Sequence, residues 1–215
     1  EDNQATQITK LSNTQNKIEG KDFVSLDPQQ DRLRMELSLA GFQYLYKSGA
    51  RIDDPEHQIS LDEAIISQAC SLSDLSIVAL AKRNVGALTE NIDKTPYKLL
   101  FNGGTNSFSL HNGVQVLRAV EHCIKQNECS SSGRKHLVLV HGNRFLLHLI
   151  FKKIKVSDGF DTQYLTKDNV SNMVDTMFQE YWDKVFNAME EKFPDAYPAH
   201  IFKNVGRLRE ISEIL

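Results

Sequence analysis

The strongest constraint on the fold is a stripe of apolar side chains between residues 170 and 189. Its members recur at the i, i+3, i+4, i+7 spacing that lines one face of an α-helix over about five turns. Thr166 or Asp168 can cap the start of this helix, and Phe193-Pro194 ends it. A face this wide has to be buried, within the chain or against a second copy. The sequence therefore predicts a helical domain that can form a homo-oligomer through this face. The stripe consists of Val170, Met173, Val174, Met177, Phe178, Tyr181, Trp182, Val185, Phe186 and Met189.

Shorter signals place further elements. Asp27-Pro28-Gln29-Gln30 predicts a helix start, in which Gln30 completes a capping box, and Ser60-Leu61-Asp62-Glu63 is a second capping box. Phe42–Tyr46 alternates as a short strand does. The nearly apolar stretch Leu137–Phe151 predicts one buried helix, because it is interrupted by polar residues and is shorter than the roughly 20 residues that span a bilayer.

These elements together predict a mainly α fold. We expect a multi-helix domain with one or two short strands near residues 42–46, and a C-terminal helical subdomain. The polar, serine-rich stretch Asn127–Gly133 is the best candidate linker. It divides the chain into a helical core region over 1–128 and a subdomain over 134–215 that packs on it.

Charge is balanced over the whole chain and uneven within it. The 215 residues carry 25 Lys and Arg against 28 Asp and Glu, a net charge of −3, without the basic surplus of a dedicated duplex-DNA binder. Residues 134–156 hold six Lys or Arg and no acid, whereas residues 157–191 hold eight acids and two lysines. The pattern favours two segments that pack with complementary charge; a basic strip for phosphate or nucleic acid is the alternative.

The cysteines indicate a reducing compartment. Three cysteines are few and odd in number, which predicts free thiols and a cytoplasmic location. Cys123 and Cys129 are separated by five residues, which is wider than the spacing of most zinc ligand pairs. We therefore expect no metal, no cofactor and no membrane association.

One pair of residues carries a catalytic hypothesis. Arg134 and His141 lie seven positions apart, which returns to nearly the same face of a helix. Arginine could hold a scissile phosphate while histidine acts as acid or base, at a spacing similar to that in the helical ribonucleases of the HEPN group. The alternative is that His141 is an ordinary histidine at the boundary of the core.

A run of polar side chains near the start of the chain suits binding. Asn13, Thr14, Gln15 and Asn16 are poor helix formers and good local hydrogen-bonding groups. They can cap a turn, or Asn13, Gln15 and Asn16 can bind the backbone of a partner, a base edge or a phosphate.

The same region resembles the AIPR family, the abortive-infection phage-resistance proteins of bacteria. The resemblance is carried by Ile8–Asn16 (ITKLSNTQN), Lys17–Phe23 (KIEGKDF), the helix at Gln30–Leu37, the aromatic strand and basic turn Tyr44–Arg51 (YLYKSGAR), and Phe202-Lys203-Asn204. An Asn-Gly-x-Gln-Thr element that precedes the first segment in the family is absent here. The resemblance therefore implies a C-terminal part of such a protein, with any nuclease-like region upstream.

This resemblance implies a role in antiviral defence. We expect a helical interaction and regulatory region that binds a protein or nucleic-acid partner without chemistry of its own, through Asn13, Gln15, Asn16, Lys47 and Arg51. The first alternative is a nuclease that acts through Arg134 and His141. The second is a nucleic-acid-binding module that uses Lys47, Arg51 and the strip over 134–155, with an affinity that falls steeply with salt.

Overall fold

The computed structural model describes residues 20–47, 50–156 and 159–215. Over these ranges the chain forms eleven α-helices, one short 3₁₀ helix (Val85–Leu88) and two short strands. The strands are β1 (Gln43–Leu45) and β2 (Gln58–Ser60). The helices are α1 (Gly20–Val24), α2 (Pro28–Leu39), α3 (Leu61–Ser71), α4 (Leu75–Arg83), α5 (Tyr97–Leu100), α6 (Ser107–Glu128), α7 (Gly133–His141), α8 (Asn143–Ile154), α9 (Lys167–Lys192), α10 (Pro198–Ile201) and α11 (Val205–Ser212). The mainly α fold with short strands is therefore confirmed.

The predicted strand is present and has a partner that the sequence pattern did not indicate. β1 pairs in parallel with β2, with Tyr44 opposite Ile59. Tyr44 and Ile59 are both buried, so the pair attaches this edge of the domain to the core.

The predicted helix starts are confirmed where capping is local. The side chain of Asp27 accepts a hydrogen bond from the Gln29 backbone at the start of α2. Ser60 and Glu63 form a complete capping box at the start of α3. Thr166, not Asp168, caps α9, and Phe193 is its C-cap.

Gln30 does not complete a capping box; that prediction is wrong. Its side chain is fully buried and lies in a hydrogen-bond chain: the hydroxyl of Tyr44 donates to Gln30 Oε1 at 2.7 Å, and Gln30 Nε2 donates to the Tyr97 hydroxyl at 2.9 Å. The Tyr97 hydroxyl in turn donates to Asp27 Oδ2 at 2.7 Å. Burial is the main reason that the pKa values of both tyrosines are raised, so the chain connects α2, β1 and α5 through uncharged phenols.

The predicted single helix over Leu137–Phe151 is instead two helices, α7 and α8, that meet at Gly142. A Cβ atom at Gly142 would lie 2.7 Å from the carbonyl oxygen of Val138 and 3.0 Å from the ring of Phe202. The break therefore depends on glycine, because any side chain there would collide with backbone.

The hydrophobic core joins the two predicted segments. A smaller cluster of buried residues comes from the region between Val24 and Val114. A larger cluster combines side chains of α3, α4 and α6 with those of α7, α8, α9 and α11. Because α6 contributes to both clusters, and packs on α3, α8 and α9, it is the central element of the domain.

Most of the apolar stripe of α9 is buried within the chain, and Met173, Met177, Tyr181 and Phe186 are partly buried at its edges. Trp182 and Phe178 on this helix are nearly inaccessible and belong to the larger cluster, which α6 and α8 complete. The chain itself therefore covers most of the stripe. No helix in the described ranges is both long enough and apolar enough to cross a bilayer.

The uneven charge is paired across helices, as the sequence pattern favours. Arg134 on α7 contacts Glu190 on α9 at 2.5 Å, and Lys135 lies 3.8 Å from Asp183. The basic segment thus places two of its six cations against the acidic helix.

Candidate functional site

The binding residues that the sequence predicts fall in two places. Asn13, Gln15 and Asn16 lie outside the described residues. Lys47 and Arg51 follow β1 in the chain and are exposed. Lys47 borders a surface depression of about 470 Å³ whose other lining residues are Asp31, Arg34, Tyr44, Leu45, Tyr46 and Ala50.

The depression is held in place by hydrogen bonds from α2. The hydroxyl of Tyr46 donates to Asp31 Oδ1 at 2.8 Å, and Arg34 Nε lies 3.4 Å from the same oxygen. The Tyr46 hydrogen bond, with Arg34 and Lys47 near by, lowers the pKa of Asp31. Tyr44 and Tyr46 are themselves buried, so their rings do not offer a stacking surface for a base.

Beside the depression, α2 exposes two large apolar side chains. Met35 is 53% exposed and Leu39 is 91% exposed. Asp31, Met35 and Leu39 follow one another at i, i+4 spacing and so share a face of the helix. We call Asp31, Arg34, Met35, Leu39 and Lys47 the α2 patch.

The two residues of the nuclease hypothesis share α7 but differ in surroundings. Arg134 Nε donates to Glu190 at 2.5 Å, Nη1 to the Ala196 carbonyl at 2.7 Å and Nη2 to the Phe193 carbonyl at 2.5 Å. The guanidinium therefore has protein partners on all three nitrogens and caps the end of α9. This geometry favours a structural role for Arg134.

His141 lies in a basic environment at the other end of α7. Its ring packs 5.7 Å from that of Tyr197. Burial lowers its pKa, and the nearby Lys82 and Lys203 lower it further. Lys82 donates to the Val140 carbonyl and to Asn143 Oδ1, and burial lowers its pKa to about 8.

A cleft of about 970 Å³ lies between α6 and the segment that leads into α9. This cleft was not among the sites predicted from the sequence. Its lining residues include Phe42, His111, Gln115, Arg118, Tyr164 and Asp175. The sequence signal was present: His111, Asn112 and Gln115 are polar residues within an otherwise buried, apolar helix.

Asn112 anchors the outer wall of this cleft. Its Nδ2 donates to the carbonyls of Phe160 at 2.7 Å and Gln163 at 2.8 Å, and its Oδ1 accepts from the Leu165 backbone N–H at 2.8 Å. The backbone N–H fixes which amide atom is oxygen. The neighbouring His111 Nδ1 lies 3.0 Å from that oxygen, so Nδ1 carries a proton, and burial lowers the pKa of His111, which favours the neutral ring.

Arg118 lies at one end of the cleft, and its guanidinium is already hydrogen-bonded to protein groups. Its guanidinium contacts both carboxylate oxygens of Glu63, at 2.7 and 2.9 Å, and donates to the carbonyls of Pro55 and Gln58. It thereby connects α6 to β2 and to the capping box of α3. Among the described residues, no group of three or more His, Cys, Asp or Glu is arranged to hold a metal ion.

Comparison with protein-family models, curated proteins and solved structures finds no match to this chain. The AIPR resemblance therefore stays a prediction carried by the sequence segments that suggest it. Of those segments, the strand and basic turn border the α2 patch, and Lys203 lies near His141.

Proposed function

We propose that this chain is the partner-binding, regulatory region of an AIPR-type antiphage protein, and that it binds a protein through the α2 patch without chemistry of its own. The observation that carries the proposal is the pair of exposed apolar side chains, Met35 and Leu39, beside the basic turn. Apolar side chains with a polar, charged rim are typical of protein-binding surfaces.

The charges around the patch favour a protein over nucleic acid. Over residues 31–54 of the chain, four cations are matched in number by four acids: Arg32, Arg34, Lys47 and Arg51 against Asp31, Glu36, Asp53 and Asp54. Arg34 is already paired with Asp31. A nucleic-acid interface needs a local surplus of positive charge, which this surface does not have.

The same charges indicate the chemistry of the partner. Lys47 and Arg51 have no salt bridge or side-chain hydrogen bond to any residue in the described part of the chain. A partner surface with an apolar centre and carboxylates at its edge would bury Leu39 and pair with these two cations.

Phage challenge of bacteria that carry the full-length protein tests this proposal. Leu39→Glu removes about 1.5 to 3 kcal/mol of apolar burial, which corresponds to roughly a ten- to hundredfold loss of affinity, so we expect protection to be lost. Because Leu39 is exposed, the Leu39→Glu substitution should change the free energy of unfolding of the protein by less than about 0.5 kcal/mol. Val156→Glu, at an apolar residue that follows α8 and is 77% exposed, is the matched control and should keep protection.

The nuclease alternative predicts a different result. In that case Leu39→Glu would leave protection intact, and His141→Ala would abolish cleavage of labelled RNA or DNA. Full protection by the Leu39→Glu variant at normal protein levels contradicts a role for the α2 patch.

A further inference from the structure

The cleft beside α6 contains two buried polar groups without a protein partner. Gln115 is only 8% exposed and His111 only 3% exposed, and both line the cleft. Across the described ranges, the Gln115 amide and His111 Nε2 make no hydrogen bond to protein. Although both residues are buried overall, neither of these groups is among the fully enclosed polar atoms that lack a partner, so both face the solvent of the cleft and are available to a ligand.

The two groups present a defined pattern of acceptors and donors. Because Nδ1 of His111 carries the proton, Nε2 is an acceptor in the neutral ring. Gln115 follows His111 by four residues on the same face of α6, and its amide offers one acceptor and two donors. A complementary ligand edge carries an N–H that donates to His111 Nε2. Beside it, the edge carries a donor and an acceptor that pair with the Gln115 amide, as the edge of a nucleobase pairs with a glutamine amide.

Aromatic rings lie beside these groups. Phe42 packs 4.2 Å from the ring of His111, and the ring of Tyr164 lies 5.4 Å from that of Phe42. All three line the cleft, whose volume of about 970 Å³ is at the upper end of the range for small-molecule sites. The lining therefore suits a flat aromatic ligand.

The charges of the lining exclude an anionic ligand. Three acids, Glu56, Asp168 and Asp175, face two cations, Arg118 and Lys167. Arg118 forms a salt bridge with Glu63, and Lys167 Nζ lies 3.5 Å from a carboxylate oxygen of Glu56. A phosphate would meet surplus carboxylates without a free cation to pair with.

From these observations we propose that the cleft binds an uncharged planar nitrogen heterocycle, of the nucleobase or nucleoside class, through Gln115 and His111 Nε2. This site is separate from the α2 patch, so it is independent of the proposed protein partner. Tyr164 and Phe42 would contact the ring of the ligand, and the acids of the lining would accept from hydroxyl or amino groups.

Calorimetric titration of the protein with adenosine, guanosine, cytidine and uridine tests the proposal, with AMP as the charged counterpart of adenosine. We expect at least one nucleoside to bind, and Gln115→Leu to weaken that binding about ten- to hundredfold. Gln115→Leu should unfold at about the same temperature as the wild type, because the Gln115 amide has no hydrogen bond to another described residue to lose. Gln179→Leu, at an exposed glutamine on α9, is the matched control and should bind normally.

The ring nitrogens of His111 give a second test on the unaltered protein. In ¹⁵N NMR spectra, Nε2 should have the shift of an unprotonated nitrogen, and should move on addition of the nucleoside while Nδ1 stays protonated. The proposal is overturned if no nucleoside binds up to about 1 mM, if Gln115→Leu binds as well as the wild type, or if AMP binds more tightly than adenosine.

Discussion

Replacing Arg134 by methionine separates a structural role of this residue from a catalytic one. The substitution keeps an unbranched, flexible side chain and removes the guanidinium with its three hydrogen bonds to Glu190, Phe193 and Ala196. The end of α9 then loses the cation that holds it against α7.

The magnitude follows from the burial of this cluster. A hydrogen bond to a charged group contributes about 1.5 to 3 kcal/mol when it is buried. The side chain of Arg134 is 28% exposed and that of Glu190 is 38% exposed, so solvent screens part of each interaction. We therefore expect a total loss of about 2 kcal/mol in the free energy of unfolding, or roughly 4 to 8 °C in Tm for a domain of this size.

Denaturant unfolding followed by circular dichroism measures this loss. Arg83→Met, at an exposed arginine without a side-chain hydrogen bond to any described residue, is the matched control and should change stability by less than about 0.5 kcal/mol. An Arg134→Met variant as stable as the wild type would refute the structural argument. Loss of RNA cleavage in such a stable variant would instead favour the nuclease hypothesis.

Three further predictions concern buried polar groups. Asn112→Leu should lower the free energy of unfolding by about 2 to 4 kcal/mol in denaturant titration, because two carbonyls and a backbone N–H lose their partner. Tyr97→Phe should lower it by about 1 to 2 kcal/mol in the same assay, because Gln30 and Asp27 lose the hydroxyl between them. Burial lowers the pKa of His148, so the unfolded state takes up the proton first, and the free energy of unfolding should fall as the pH drops below about 6.5. Thermal unfolding from pH 8 to pH 5 measures this slope, which His148→Phe should flatten.

Each of these predictions has an opposite outcome that contradicts it. A fully stable Asn112→Leu variant would mean that the 160–165 segment does not depend on this side chain. An unchanged Tyr97→Phe variant would mean that the hydrogen-bond chain through Gln30 adds nothing to stability. A wild-type protein that gains stability between pH 6.5 and pH 5 would contradict a neutral, buried His148.

Local signals in the sequence predicted the helix ends well. The caps at Asp27, Ser60 and Thr166 depend on residues two or three positions away, so their pattern is visible in the chain itself. The break at Gly142 was missed because its cause is partly distant. The ring of Phe202, 60 positions along the chain, occupies the space beside it.

In the candidate sites too, features that depend on neighbouring residues could be predicted from the sequence, and features that depend on distant residues could not. The exposure of Lys47 and Arg51 could be predicted, because charged residues in a turn after a strand remain in solvent. The role of Gln30 could not, because its partner Tyr97 is 67 residues away. The cleft was missed for the same reason: Asn112 binds a segment about 50 residues later, and only that contact fixes the proton on His111.

The most direct test of the proposed function is photo-crosslinking from position 39 in phage-infected cells. A photoreactive amino acid replaces Leu39 in the full-length protein, and the same amino acid at Val156 is the control. We expect a protein adduct that forms from position 39, does not form from position 156, and weakens when Lys47 is changed to Glu. A nucleic-acid adduct from position 39, or no adduct that distinguishes the two positions, would contradict binding of a protein through the α2 patch.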